Sequence, residues 1–446
     1  MTLHYHTYPN GLRIIYEKSK TNAPLTHIYL FCNVGSVHES DNLHGASHFI
    51  EHMCFKGTKN IPKAKDIFIE YDKIGAEFNA FTIKRATGYT VTCQNDYFHN
   101  CVNILGDMMF HSTFPKEEYK KEYDVVREEN IADNNDFEDI INTNTDLLLY
   151  KGSSYANPID SIKYHDKIPP DYNSIIDFYH YFYQPQNMIL SVVSSLPFSK
   201  IKSLVSTTIL SKYIRDTPIR PCGSPICHEL SSQTDIQYHL QNRKGVENTL
   251  LTIGFRTCDM NSPDMYKLEL LRTILIGGMS GRLFMLLREK HGLTYSIRVE
   301  TENHEKHGGF VIFTQTDSAK LLKNGGDSNG VLPLIVKTLA DLVKKGVSEE
   351  EFEIAKGNMK GDFIIQTTDD DERANYNGFE WLVREKKEDV VPYDDIYRTF
   401  IHPLKHGDIQ DVIRKYFKRD KMTVCILSEK VHSLSKIKKC FDDSSL

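Results

Sequence analysis

Cysteine is scarce in this chain, nine residues in 446 and odd in number, which excludes a disulfide-stapled scaffold and suits a reducing compartment. No apolar run approaches the roughly 20 residues that span a bilayer as a helix, so no membrane association is expected. Positive charge is not in excess either. With 54 Lys and Arg against 60 acidic residues the net charge is −6, which argues against a nucleic-acid surface. The first seven residues, Met1 to Thr7, lack both the charged-then-apolar pattern of a secretory signal and the Arg-rich form of an organelle presequence, so a cytoplasmic location is expected. A phosphate-binding Gly-x-x-x-x-Gly-Lys-Ser/Thr frame is also missing, and Gly277, Gly278 and Gly281 read instead as a turn opening a helix over 282–290. What remains has ordinary globular composition, 40% hydrophobic and 26% charged, and a length that implies two or more domains with cores of their own.

The most informative stretch is His48-Phe49-Ile50-Glu51-His52. Residues four apart share a helix face, so His48 and His52 can bind one ion while Glu51 reaches over the same spot. This is the inverted form, His-x-x-Glu-His, of the zinc-hydrolase pattern. Three positions can coincide by chance in a chain with 19 His, so context must decide. Phe49, Met53 and Phe55 supply an apolar side that would pack the helix into its domain. His44 stands four before His48, but three histidines at this spacing span about 12 Å of helix axis, too far for one ion. The His48/His52 pair is favoured because it brackets a carboxylate, whereas His44/His48 brackets Gly45, Ala46 and Ser47.

A catalytic zinc usually takes three protein ligands. A helix over 116–133 offers the third, because Glu122 and Glu129 lie two turns apart on one face, with Val125 and Val126 on the packed side. Glu128 is the alternative register, without the two-turn relation to Glu122. Taken alone, these carboxylates read as an ordinary solvated helix face.

These motifs together resemble the insulinase-like (pitrilysin-type, inverzincin) zinc metallopeptidases, in particular the single-unit branch that contains mitochondrial and bacterial processing peptidases. Matching residues also include Asn10-Gly11-Leu12-Arg13, Gly35 to Glu39, Phe55-Lys56-Gly57-Thr58, Gly75 to Thr82, Tyr183 to Met188, Gly277 to Phe284 and Leu287 to Ser296. The resemblance implies one Zn2+ per chain held by His48, His52 and Glu129, Glu51 as general base and Glu122 as a supporting carboxylate. It implies that Asn79, Ala80 and Phe81 form an edge strand that pairs with a peptide substrate. It further implies that Arg288 and Tyr295 grip the substrate and stabilise developing charge. Such an ion acidifies a water for attack on a peptide carbonyl.

Fold class follows as α+β: two homologous α/β-sandwich domains, each a mixed sheet packed with helices, related by internal duplication and forming half of a clamshell chamber. The division is expected at 1–211 for the zinc-binding domain, 212–234 for a proline-bearing linker and 235–446 for a second domain without a zinc site. Strands at 26–31 and 250–255 correspond in the two halves. Cys222, Cys227 and His228 lie in the linker and lack a second Cys/His pair, which speaks against a structural zinc. Residues 323–330 read as a surface loop before a helix over 331–345, and Asp369-Asp370-Asp371-Glu372 as a solvated acidic turn. Because the chain carries both the zinc motif and the Arg/Tyr pair, a homodimer is expected, the zinc of one subunit facing Arg288 and Tyr295 of the other. The function expected is a zinc endopeptidase, with a processing protease as one form of it. The alternative is a non-catalytic structural subunit of the core type.

Overall fold

The central strands of both sheets are buried on their two faces, which is why they read as apolar runs rather than as alternating patterns. In the computed structural model, which describes residues 2–133, 135–159, 171–214, 229–323, 329–384, 386–442 and 444, the chain forms two units. The first comprises Met1–Ala132, Ser153–His228 and Ile364–Asp395; the second comprises Asp133–Gly152, Glu229–Phe363 and Ile396–Leu446. The contiguous division expected from the sequence is thus crossed twice, by a segment around 140 and another around 380. Most of the expected linker, 215–228 with Cys222, Cys227 and His228, lies outside the described residues, as do 324–328 of the expected loop.

In the first unit, β1 (His4–Thr7), β2 (Arg13–Lys18), β3 (Leu25–Cys32), β4 (Glu77–Thr82), β5 (Thr87–Gln94) and β6 (Met188–Ser194) form one sheet. Its order is β1-β2-β6-β3-β5-β4, with β2 and β6 parallel and the other pairs antiparallel. Successive strand residues go to opposite faces. Ile14, Ile28, Leu30, Leu190 and Val192 therefore enter the larger core with Phe49, Ile50 and Met53 of the Ala46–Cys54 helix. Ile15, Tyr29, Phe31, Ile189 and Val193 pack on the other face against Ala374, Trp381 and Leu382 of the Asp370–Arg384 helix. Gly378 lets that helix close on the sheet, since a Cβ there would lie 2.6 Å from the Phe31 ring and 2.7 Å from Ser191 Cβ.

The second unit repeats the plan with β7 (Gln237–Asn242), β8 (Thr249–Thr257), β9 (Ile297–Asn303), β10 (Gly308–Thr316) and β11 (Met422–Ser428) in the order β7-β11-β8-β10-β9. Leaving β1 aside, the two orders are the same, each with its one parallel pair in the same place. β3 and β8, which the sequence relates, occupy equivalent positions. One face carries Leu251, Ile253, Phe255, Phe310 and Ile312 in the unit's main core. The other carries Leu250, Phe313, Cys425 and Leu427 against Ile140 and Ile141 of the Phe137–Leu149 helix. In each unit, the helix on the smaller core comes from the half of the chain that builds the other sheet.

The acidic run 369–372 is not a solvated turn. It opens the Asp370–Arg384 helix, where acidic side chains are favoured by the helix dipole. Asp370 is buried and accepts from Arg373 Nη1 at 2.8 Å; Arg373, fully buried, also pairs with Glu17 of β2. Asn377 Nδ2 donates to the second Glu17 oxygen at 2.8 Å, and Tyr29 donates to Asp371 at 2.8 Å. The sequence pattern cannot reveal this, because Glu17 and Tyr29 lie some 350 positions away.

Candidate metal centre

The Ala46–Cys54 helix places His48 and His52 one turn apart on its solvent-facing side, while Phe49, Ile50 and Met53 anchor the opposite side in the core. Its N-terminus is held from outside the helix. Glu39, buried, accepts the backbone N–H of Gly45 at one carboxylate oxygen and that of Ser47 at the other, both at 2.7 Å. Two of the orphan donors of the first turn are thereby satisfied by a charge that also suits the helix dipole. Gly45 takes the left-handed conformation (φ 82°) that lets the chain turn into the helix.

The Lys116–Asp133 helix brings Glu122 and Glu129 to the same place. His48 Nε2 and His52 Nε2 are 3.1 Å apart, and Glu129 Oε2 stands 3.4 Å from His52 Nε2 and 4.0 Å from His48 Nε2. Among the described residues, His48, His52 and Glu129 are the one group of three such side chains whose ligand atoms lie within 4.8 Å of one another. His44 is not in this group and stands beside Asp41 at 3.8 Å; Glu128 is exposed and also outside it. Val126 supports the packed side of the helix as expected, but Val125 is 44% exposed.

The three side chains fit a zinc ion. Two imidazoles and a carboxylate are a common donor set for it. With zinc–ligand bonds of about 2.0–2.1 Å the edge of a coordination tetrahedron is about 3.3 Å, within the range of the three separations. Protonation states agree as well. His52 Nδ1 is 2.9 Å from Glu122 Oε1, and a carboxylate can only accept, so Nδ1 carries the proton and Nε2 keeps its lone pair for a cation. Burial acts to raise the Glu122 carboxyl, but hydrogen bonds from His52 and Lys56 outweigh it and hold it below the usual range. The Lys56 ammonium is 2.5 Å from the second Glu122 oxygen. Cys54, on the same helix, is not a competing ligand: burial pushes its thiol up to about 12, and it lies in the core.

Glu51 is 8% exposed beside the histidines and accepts a hydrogen bond from Thr82 Oγ1 at 2.7 Å. Thr82 ends β4, and β4 is the edge of its sheet, paired only with β5 among the described strands. Asn79 is exposed, and its side-chain oxygen accepts the Ala80 backbone N–H at 2.9 Å. The Phe81 ring packs over Gly88 and against Phe31, leaving its main chain rather than its side chain at the edge.

Arg288 and Tyr295 lie in the second unit and are brought together there. The expected helix over 282–290 is α-helical only for Arg282–Phe284 and continues as a π-helical turn, Met285–Lys290. From this turn the Arg288 guanidinium lies between two rings, 5.1 Å from that of Phe284 and 4.9 Å from that of Tyr295. Tyr295 is 79% exposed, yet its loop is held by Thr294, which is buried and whose single hydroxyl proton serves either the Ser296 or the Gln315 carbonyl, each 2.7 Å away.

Glu39, Lys56 and Thr82 belong to the surroundings of the centre without having been assigned roles from the sequence. All three stand in the quoted motif segments, which was the available signal; their partners became visible only in the fold. No helix of the described residues is long and apolar enough to cross a membrane.

The profile "Insulinase (Peptidase family M16)" matches residues 13–160, and "Peptidase M16 inactive domain" matches 171–359. The "Uncharacterized zinc protease YmxG" of Bacillus subtilis is 30% identical over 375 residues, covering 84% of this chain and 86% of that protein. An "Uncharacterized zinc protease" of Rickettsia felis is 31% identical over 343 residues, covering 76% and 77%. Among solved structures, a protease from Helicobacter pylori has the same fold, with a TM-score of 0.86 at 21% identity over 96% of this chain and 99% of its own. The first half of the periplasmic protease PqqL from Escherichia coli gives 0.79 at 17% identity, over 100% and 97%. The chain belongs to the insulinase family, peptidase family M16.

Proposed function

We propose that this chain is a zinc-dependent endopeptidase that hydrolyses peptides or unfolded segments, as a processing protease does, and that it works as a homodimer enclosing its substrate. The observation that carries this reading is the convergence of His48, His52 and Glu129 on one point, at the helix that also carries Glu51. A zinc ion held there would supply a Lewis acid and an acidified water. Glu51 takes the proton of the attacking water and returns it to the leaving amine, so the peptide bond is cleaved with the addition of one water. Glu122 keeps His52 in the tautomer that presents Nε2. The open edge of β4 takes the peptide main chain as an added strand, and Asn79 releases the Ala80 amide to it. Arg288 and Tyr295, contributed by the second unit of the other subunit, hold the scissile carbonyl and offset the charge that develops on its oxygen. Support for pairing comes from PqqL, whose full chain is about twice as long: this chain covers 50% of it.

Zinc content by elemental analysis and cleavage of a quenched peptide pool, in wild type and Glu51→Gln, test the reading. One zinc per chain, with cleavage abolished by the substitution, is expected. A wild type without stoichiometric zinc, or a Gln variant that cleaves equally well, refutes it; zinc binding without cleavage favours the structural-subunit alternative. A stable, fully active monomer in light scattering refutes the dimer.

A further inference from the structure

We infer that Thr82 is a positioning residue for the general base: its hydroxyl fixes the carboxylate of Glu51 from the end of the strand that would receive the substrate. This rests on the peptidase reading given above.

A glutamate side chain has three rotatable bonds, and a base must present its oxygen to the reacting water within a fraction of an ångström. The Ala46–Cys54 helix fixes the Cα of Glu51 but not the plane of its carboxylate. Thr82 Oγ1 donates to Glu51 Oε2 at 2.7 Å. That bond holds one carboxylate oxygen in place and so limits the directions in which the other can point. Thr82 is itself well held. It pairs with Thr87 across the β4–β5 ladder, and the hairpin that follows is closed by the Ile83 N–H donating to the Ala86 carbonyl at 2.8 Å. As a β-branched residue it has few rotamers to lose. Asn79, Ala80 and Thr82 share one short strand, so the element that docks the peptide main chain also aims the base. A peptide out of register on β4 would therefore meet a base set for a different carbonyl.

The test compares Thr82→Val, which exchanges the hydroxyl for a methyl of similar size, with Thr82→Ser, which keeps the donor. In zinc-loaded full-length protein, Thr82→Val is expected to lower kcat roughly 10- to 100-fold, with KM within about two-fold of wild type and zinc affinity unchanged. Thr82→Ser is expected to recover most of kcat. A merely structural role would lower stability and zinc occupancy in both variants without this split. Crystal structures of wild type and Thr82→Val give a readout that does not depend on cleavage: the Glu51 carboxylate is expected to rotate away from its wild-type position. A Val variant with wild-type kcat, or one whose carboxylate stays in place, overturns the inference. If the wild type cleaves nothing, the peptidase reading fails and the carboxylate position alone decides whether the contact orients Glu51.

Discussion

Replacing Glu39 by Gln should loosen the zinc helix from its N-terminal end. In the wild type each carboxylate oxygen of Glu39 accepts one backbone N–H of the helix start at 2.7 Å, in a buried setting. Gln keeps the volume and one acceptor, but it turns an NH2 toward the second N–H, so one charge-assisted hydrogen bond is lost and a buried donor faces a donor. A charge-assisted bond is worth about 1.5–3 kcal/mol and an unsatisfied buried donor costs about 1–3 kcal/mol. Losing the carboxylate charge at the helix N-terminus adds about 0.3–1 kcal/mol. Because the amide can rotate and the helix start can shift, the parts do not add fully, and about 3 kcal/mol is expected. The assay is provided by the chain itself. Trp381 is the sole tryptophan, is buried, and lies in the first unit against the sheet that the zinc helix covers from its other side. Its fluorescence in a urea titration reports the unfolding of that unit. Zinc affinity, measured in parallel by chelator competition, should fall with the stability of the helix. A loss below about 1 kcal/mol with unchanged zinc affinity would refute the assignment of Glu39 as the support of this helix.

Three further outcomes follow from the same structure. Glu122→Ala should weaken zinc binding roughly 10- to 100-fold in chelator competition, because His52 loses the acceptor that fixes its tautomer; affinity equal to wild type would contradict this. Arg373→Met should destabilise the first unit by about 3–5 kcal/mol in the Trp381 assay, since Glu17 and Asp370 are then buried without their cation; a variant as stable as wild type would show that the cluster is dispensable. Acid should destabilise the first unit through His38, whose imidazole is held down to about 3 by burial and by the Arg85 guanidinium beside it. The folded pKa lies below the ordinary value of 6.5, so the unfolded chain takes up a proton that folded His38 refuses. Stability is then complete above pH 6.5 and is lost as the pH falls toward 3, by about 2 kcal/mol at pH 5. Urea titrations of wild type and His38→Gln at pH 7 and pH 5 measure it, and an equal acid loss in both would rule His38 out as the cause.

Much of the architecture was legible before any fold was known. Apolar runs bounded by turn residues mark β3 and β8 to within two residues of their ends, and the helices Lys116–Asp133 and Val331–Lys345 coincide with their expected ranges. The second sheet's likeness to the first was visible in two strands and extends, β1 aside, to the whole strand order. Domain membership was less legible. The Phe137–Leu149 and Asp370–Arg384 helices have apolar faces that any sheet could cover, and nothing in their periodicity says which one does. The acidic run 369–372 misled for a related reason. A charge run is usually solvated, and only a buried Arg373 with Glu17 beside it makes the opposite arrangement stable.

The sequence by itself determined that His48, Glu51 and His52 share one side of a short helix, and that Glu122 and Glu129 share one side of another. Helical geometry repeats every 3.6 residues whatever surrounds it. Tertiary structure alone decided that the two sides meet, that Glu39 and Lys56 hold the ends of that meeting, and that a threonine 31 positions from Glu51 donates to it. Such contacts arise from the packing of helices and strand edges on a shared core, and spacing along the chain carries no record of them.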